Sequence, residues 1–80
     1  GTMIHVMKDM HGFAKRLREA RERAGFTLTE AAYKIGLDLA QLDEAEQARG
    51  AGIAVNRKIS DIADAYMVSP SWLVNGPGAP

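Results

Sequence analysis

Apolar residues recur every three or four positions along most of this chain, which is the spacing of one face of a helix. The first clear stripe, between residues 11 and 24, consists of Phe13, Leu17, Ala20 and Ala24. Charged side chains occupy the opposite face. Gly25 follows directly, at the position where many helices end in a left-handed residue. We therefore predict a helix over residues 11–24, with Phe26 folding back onto its apolar face.

Two shorter helices joined by a tight turn are predicted between residues 27 and 46. Each begins with the capping-box pattern, in which the cap residue and the residue three places on exchange hydrogen bonds. The two pairs are Thr27 with Glu30 and Asp38 with Gln41. Gly36 lies between the helices, where glycine enters the left-handed conformation without steric cost. Helix, glycine-containing turn and helix form the helix-turn-helix pattern.

The C-terminal half predicts two further helices. One begins near Val55, after a glycine-containing loop. Its apolar stripe consists of Val55, Ile59, Ile62, Ala63 and Tyr66. A short last helix follows, because Ser69 suits a helix cap and Pro70 suits the first helical position. Trp72 and Leu73 are expected to dock this helix onto the core.

These segments predict an all-α fold of five helices with short connections, arranged as one compact domain over residues 11–76. Gly1 and Thr2 precede Met3 and have the character of a cloning remnant. Residues 3–10 are mixed in character, so either a short extended arm or a frayed terminus is expected, and we favour the frayed terminus. Residues 77–80 are rich in proline and glycine and are expected to form a disordered tail.

Composition and charge narrow the possible functions. Apolar residues make up 46% and charged residues 25% of the 80 positions, which is typical of a soluble globular domain. No cysteine is present, so disulfides and thiolate metal sites are excluded and a reducing, cytoplasmic setting is favoured. No segment is long and apolar enough to predict a membrane span. The formal net charge is zero, but residues 11–24 carry +3 and residues 27–48 carry −4.

Catalytic and metal-binding chemistry is not indicated. His5 and His11 lack spaced cysteine, histidine or carboxylate partners, so we interpret them as surface histidines rather than metal ligands. No histidine is placed to activate a serine, and the glycines near residue 51 lack the strand that precedes a phosphate-binding loop. We therefore expect neither an enzyme nor a bound cofactor.

In order along the chain, four segments resemble the lambda-repressor/Cro-like (XRE-type) helix-turn-helix family. They are FAKRLREARERAGFTL, TEAAYKIGLD, LAQLDEAE and ISDIADAYMVSPSWLVNG, which together span most of residues 13–76. The last segment is the most specific, because it is similar to the family's fourth helix and the Trp-Leu pair of the closing helix. The resemblance implies a five-helix DNA-binding domain, bacterial or phage origin, transcriptional regulation (commonly as a repressor) and frequent homodimerisation.

The resemblance also implies a DNA-binding site, in which the third helix enters the major groove of a double-stranded operator. Its outward residues, expected to reach base edges, are Leu39, Ala40, Gln41 and Glu44. Gln41 has the amide suited to adenine, and Glu44 has a carboxylate that accepts from a cytosine amino group. The residues expected to contact phosphate are Thr29, Arg49, Arg57 and Lys58.

Two features keep a second interpretation open. The predicted recognition helix is acidic, and Leu28 stands where the family often has a glutamine. The alternative is a helix-turn-helix scaffold that no longer binds DNA and instead holds a protein partner on its acidic helix, as a co-regulator, anti-repressor or antitoxin-like module. An exposed patch of Leu28, Leu39, Asp43 and Glu44 favours the protein partner. A positive rim of Arg49, Arg57 and Lys58 favours DNA.

The basic first helix is also open to two interpretations. Its basic residues are Lys15, Arg16, Arg18, Arg21 and Arg23. They are expected either to attract a phosphate backbone or to form a solvated face stabilised by ion pairs.

Overall fold

The protein is described by a computed structural model that covers residues 3–49 and 52–76. It contains the α-helices α1 (Met3–Ala24), α2 (Leu28–Ile35), α3 (Leu39–Glu46), α4 (Gly52–Asn56), α5 (Ile59–Tyr66) and α6 (Pro70–Asn75). Within these residues there is no strand. The predicted all-α class is confirmed, and the described residues form six helices rather than the predicted five. The predicted tail, residues 77–80, lies outside the described part of the chain, as do Gly1 and Thr2.

The first helix begins at Met3 rather than at the predicted His11, so residues 3–10 are helical and do not form the extended arm that was one of the two expectations. A helix that is already nucleated grows by one backbone hydrogen bond for each residue fixed. Neither proline nor glycine occurs between Met3 and His11, and Gly12 is accommodated inside the helix. The predicted start at His11 therefore corresponds to no break in the backbone.

The predicted fourth helix is two helices, α4 and α5, separated by a turn at Arg57 and Lys58. Lys58 has φ −110° and ψ 11°, which interrupts the α-helical ladder. Its N–H donates to the Val55 carbonyl at 2.9 Å, and its own carbonyl accepts from the Ile62 N–H at 2.8 Å. The apolar stripe did not reveal this turn, because α4 and α5 both bury residues of the predicted stripe.

The core draws a large buried side chain from nearly every helix. Those with almost no exposed surface are Leu17, Leu42, Val55, Ile62 and Leu73. The buried face of helix α2 consists of two small residues, Ala31 and Ala32, beside Ile35. One predicted core residue is wrong: Ala24, in the last turn of α1, is exposed. Among the described side chains of α1, the buried ones are the predicted Leu17 and Ala20 together with Ala14 and Arg21.

The predicted caps of α2 and α6 are present at the helix ends. Thr27 Oγ1 accepts from the Glu30 N–H at 3.1 Å, and Glu30 Oε1 accepts from the Thr27 N–H at 2.9 Å. Gly36 has φ 89° and donates its N–H to the Ala32 carbonyl at 2.9 Å. Ser69 Oγ caps α6 by accepting from the Trp72 N–H at 3.3 Å. Local sequence chemistry therefore sets where α2 and α6 begin and where α2 ends.

Arg16 joins the two ends of the domain. Its Nε donates to the Leu73 carbonyl and its Nη2 to the Val74 carbonyl, both at 2.9 Å. These carbonyls lie at the C-terminal end of α6, where intrahelical partners run out. A Cβ atom on Gly12 or Gly76 would lie 3.0 Å from Arg16 Nη1, so both glycines leave room for the guanidinium.

Candidate nucleic-acid interface

Helix α3 has a buried inner face and an exposed outer face. The inner face consists of Leu42, Ala45 and Glu46, all buried. The exposed residues are Leu39, Ala40 and Glu44, Gln41 and Asp43 are partly exposed beside them, and Gln47 is exposed directly after the helix. Because the inner residues are packed in the core, the outer face has a fixed orientation.

A buried ion pair holds α3 against α1. Arg21 donates from Nε to Glu46 Oε2 at 2.7 Å and from Nη2 to Glu46 Oε1 at 3.0 Å. Its third contact is from Nη1 to the Phe26 carbonyl at 2.8 Å, in the segment between α1 and α2. The hydrogen bond to Glu46 raises the pKa of Arg21 above its usual value. One arginine thus connects α1, the start of the helix-turn-helix and the end of α3.

The ion pair changes the charge of the predicted DNA-facing surface. Glu46 contributed to the acidic character of the third helix, but its carboxylate faces inward and is paired with Arg21. Arg21 is likewise engaged inside the protein, whereas Arg16 is partly exposed and donates to carbonyls at the end of α6. For Arg21, both predictions for the basic first helix, a phosphate-binding face and a solvated face, are wrong. Lys15, Arg18 and Arg23 remain exposed.

Tyr66 packs behind this ion pair. Its ring lies 6.2 Å from the ring of Phe26, centroid to centroid, and the residue is 4% exposed. Burial raises the pKa of Tyr66 above its ordinary value, and the nearby Glu46 carboxylate raises it further. The hydroxyl is buried without a hydrogen-bond partner among the described residues. Tyr66 is therefore neutral at physiological pH and acts as a packing residue for the rear of α3.

The predicted base-reading residues all lie at the start or on the outer side of α3. Leu39 is 48% exposed, and Ala40 and Glu44 are exposed. Gln41 is different, because its Oε1 accepts from the Asp38 N–H at 3.3 Å in the capping box. A two-point contact with adenine requires both the oxygen and the nitrogen of the amide. In this structure the amide oxygen of Gln41 therefore already accepts one hydrogen bond, and its second lone pair is the one left for adenine.

The predicted phosphate-contacting residues lie on elements around α3. Thr29 is exposed in the first turn of α2, and Arg49 is exposed just after α3. Arg57 is exposed in the turn between α4 and α5. Lys58 Nζ lies 3.5 Å from the position of a Cβ atom on Gly36, which places this ammonium beside the turn of the helix-turn-helix. The tertiary fold thus brings Lys58 next to a turn that is 22 residues earlier in the chain.

Of the residues expected to form a patch for a protein partner, Leu28 is partly buried and packs against the core, whereas Leu39 is exposed. Exposed apolar side chains that the sequence analysis did not identify are Tyr33, Ile53, Met67 and Val74.

Gln47, which ends α3, was also missed. It is exposed, and its Nε2 donates to Asp43 Oδ1 at 2.8 Å. Its spacing of three residues from Glu44 is the sequence signal that places it on the same helix face. Arg21 was missed for another reason: no local pattern distinguishes it from the other basic residues of α1.

Within the part of the chain that the structure describes, no group of three or more histidine, cysteine or carboxylate residues could hold a metal ion. The side chains of His5 and His11 lie outside the described part. None of the described helices has the length and hydropathy needed to cross a membrane.

Comparison with protein families finds a match to a family described as a helix-turn-helix domain, over residues 13–73. The match begins inside α1 and ends in α6, so it contains the whole of α2 and α3. A search of curated proteins found no matching relative, and a search of solved structures found no matching chain.

Proposed function

Since the chain belongs to the helix-turn-helix domain family of the Cro-like (XRE) type, we propose that it binds double-stranded DNA in a sequence-specific way. In this proposal it is the DNA-binding domain of a bacterial or phage transcriptional regulator that acts as a homodimer. Domains of this family are DNA-binding domains and are typically not enzymes. The observation that supports the proposal best is the fixed, exposed outer face of α3 next to an α2 that begins at a complete capping box.

The charges around α3 also support DNA rather than a protein partner. Because the Glu46 side chain is buried and paired, Asp43 and Glu44 are the acidic side chains on the outer part of α3. The exposed Arg49 and Arg57 and the half-buried Lys58 lie on the neighbouring elements. A positive rim attracts phosphates, while base edges in the groove are read by the residues of α3.

The residue roles follow from position. Leu39, Ala40, Gln41 and Glu44 are proposed to face base edges. Thr29, Arg49, Arg57 and Lys58 are proposed to contact phosphates. With few cations available, we expect modest affinity and a shallow dependence on salt.

The direct test is fluorescence anisotropy of a labelled random-sequence duplex titrated with the protein at several salt concentrations. We expect binding at low salt that weakens as salt rises. Arg49→Ala should lower the slope of log K against log salt by about 0.9, because one phosphate contact is lost. Arg18→Ala removes the same charge from an exposed position on α1 and should leave the slope nearly unchanged.

Two results would contradict the proposal. One is the absence of binding at low salt, which would turn attention to the alternative, a protein partner on the acidic helix. The other is equal effects of Arg49→Ala and Arg18→Ala, which would mean that net charge rather than the helix-turn-helix surface controls binding. Sedimentation of the free and DNA-bound protein tests the homodimer.

A further inference from the structure

Lys34 is the only basic residue between positions 27 and 48, the segment that contains the helix-turn-helix. From charge alone, a cation in this segment is the natural candidate for a phosphate contact. The side chain is exposed, but its ammonium lies over the ring of Phe26, with Nζ 5.6 Å from the ring centroid. Lys34 forms no salt bridge with the described residues. An aromatic ring, rather than a carboxylate, is therefore the described partner of this charge.

Lys34 reaches Phe26 along the surface of α2. It lies in the last turn of α2, whereas Phe26 lies two residues before that helix begins. Side chains on a helix point towards its N-terminus, so a long side chain in the last turn extends back towards the preceding segment. A cation within about 6 Å of a ring centroid is attracted by the face of the ring. Lys34 thus connects the end of α2 to the segment before its beginning.

Phe26 connects this cation to the buried ion pair behind α3. Its carbonyl accepts from Arg21 Nη1 at 2.8 Å, and Arg21 donates to both carboxylate oxygens of Glu46. Its ring packs against the ring of Tyr66 at 6.2 Å, centroid to centroid. A displacement of the Phe26 residue therefore moves the carbonyl that orients Arg21. Contacts run without a break from Lys34 on α2 to Glu46 on α3.

We propose that Lys34 is a positioning residue whose ammonium holds the Phe26 ring and so, through Arg21, fixes the orientation of α3 relative to α2. It contacts no DNA phosphate. The effect on binding rests on the proposed DNA-binding function, whereas the contact between Lys34 and Phe26 belongs to the free protein. Because phosphate contacts position the protein and base contacts specify the sequence, a less fixed α3 costs discrimination between sequences rather than phosphate contacts.

The test compares the wild-type protein with Lys34→Met, Lys34→Arg and Lys15→Met. Lys34→Met removes the charge and keeps a long unbranched side chain, and Lys34→Arg keeps a cation that stacks on aromatic faces. Lys15→Met is the matched control, since it removes one exposed ammonium from α1. Affinities for a duplex selected from a randomised pool and for a random duplex are measured by anisotropy at several salt concentrations. Thermal unfolding of each variant verifies the fold.

We expect Lys34→Met to keep the wild-type slope of log K against log salt, because no phosphate contact is lost. Its preference for the selected over the random duplex should fall about two- to fivefold, which is the strength of an exposed cation–π contact. Lys34→Arg should keep the wild-type preference. Lys15→Met should change neither the slope nor the preference.

Nuclear magnetic resonance of the free protein tests the contact itself. Protons above an aromatic face resonate upfield, so the ε-methylene protons of Lys34 should lie upfield of those of Lys15. Phe26→Leu keeps an apolar side chain without the ring and should abolish this shift. In the Phe26→Leu background, Lys34→Met should cause no further loss of sequence preference, because the two residues act through one contact.

The outcomes separate this inference from the function beneath it. If the wild-type protein binds no DNA at low salt, the proposed function fails, and the effect of Lys34 on binding fails with it. If DNA is bound and Lys34→Met lowers the salt slope by about 0.9, Lys34 is a phosphate ligand and the inference alone is overturned. Absence of the upfield shift, or equal effects of Lys34→Met and Lys15→Met on the preference, also overturns it while the function stands.

Discussion

Arg21 is one of five basic residues in the segment 11–24, yet it has a different role from its neighbours. All three of its nitrogens donate hydrogen bonds, two to the Glu46 carboxylate and one to the Phe26 carbonyl. A fork of donors facing both oxygens of a carboxylate is the arrangement that arginine makes and lysine does not. The side chain fixes the rear of α3 and so the direction in which α3 faces outward.

We predict that Arg21→Met lowers the free energy of unfolding by about 3–5 kcal/mol, because it leaves the Glu46 carboxylate buried without a partner. Urea unfolding monitored by circular dichroism measures the change. The double variant Arg21→Met with Glu46→Met should recover much of the loss, since no buried charge then remains unpaired. Arg23→Met, at an exposed position of α1, is the matched control and should change stability little.

A loss below about 1 kcal/mol for Arg21→Met would contradict this assignment, because that is the size expected of an exposed ion pair. A double variant no more stable than Arg21→Met would also count against it.

At the scale of elements, the helix-turn-helix is defined by its ends. A complete capping box begins α2, and a glycine with φ 89° ends it. The capping box and the glycine turn each depend on only a few neighbouring residues, so the local sequence is enough to predict them. The orientation of α3 relative to α2 then depends on Gly36 and on what the inner face of α3 packs against.

Substitutions at Thr27 and at Thr29 distinguish helix capping from DNA contact. Thr27→Ala should lower the free energy of unfolding by about 1 kcal/mol, because the cap of α2 is lost. Thr29→Ala removes an exposed hydroxyl with no structural role in α2 and should leave stability almost unchanged, while weakening binding to a DNA duplex. Thermal unfolding and anisotropy on both variants measure the two effects. Equal stability losses for the two variants would show that the hydroxyl of Thr27 is not the cap.

At the scale of the whole molecule, α1 is the element around which the other helices assemble. It packs against α3, α5 and α6, and through Arg16 it holds the end of α6, 57 and 58 positions later in the chain. The described fold has a radius of gyration of 12.0 Å. The two hydrogen bonds of Arg16 therefore join residues near the two ends of the described fold.

We predict that Arg16→Met destabilises the domain by about 1.5–3 kcal/mol, because two charge-assisted hydrogen bonds to α6 carbonyls are lost. Trp72, partly buried in α6, reports on the docking of that helix through its fluorescence. Its emission should shift to longer wavelength in this variant. Arg18→Met, exposed on the same helix, should leave both stability and emission unchanged. A variant of Arg16 with wild-type emission and wild-type stability would contradict the role assigned to it.

Features that depend on near neighbours were predictable, and features that depend on distant ones were not. The capping pairs at Thr27 and Ser69 and the turn at Gly36 were predicted because each involves residues within four positions. The exposure of Leu39, Ala40 and Glu44 followed from helical period. The division between α4 and α5 was missed, because a turn at Lys58 leaves the apolar spacing almost unchanged.

The sequence by itself determined the all-α class, the position of the helix-turn-helix and the residues on the outer side of α3, because hydrophobic period and caps are local properties. Only the tertiary structure decided which charges reach that surface. It pairs Glu46 with Arg21 across 25 positions, binds Arg16 to α6 and brings Lys58 to the turn at Gly36. The net charge of a segment is a sum over all its residues. The electrostatic field at a protein surface depends instead on which of those charged side chains are exposed and which are buried.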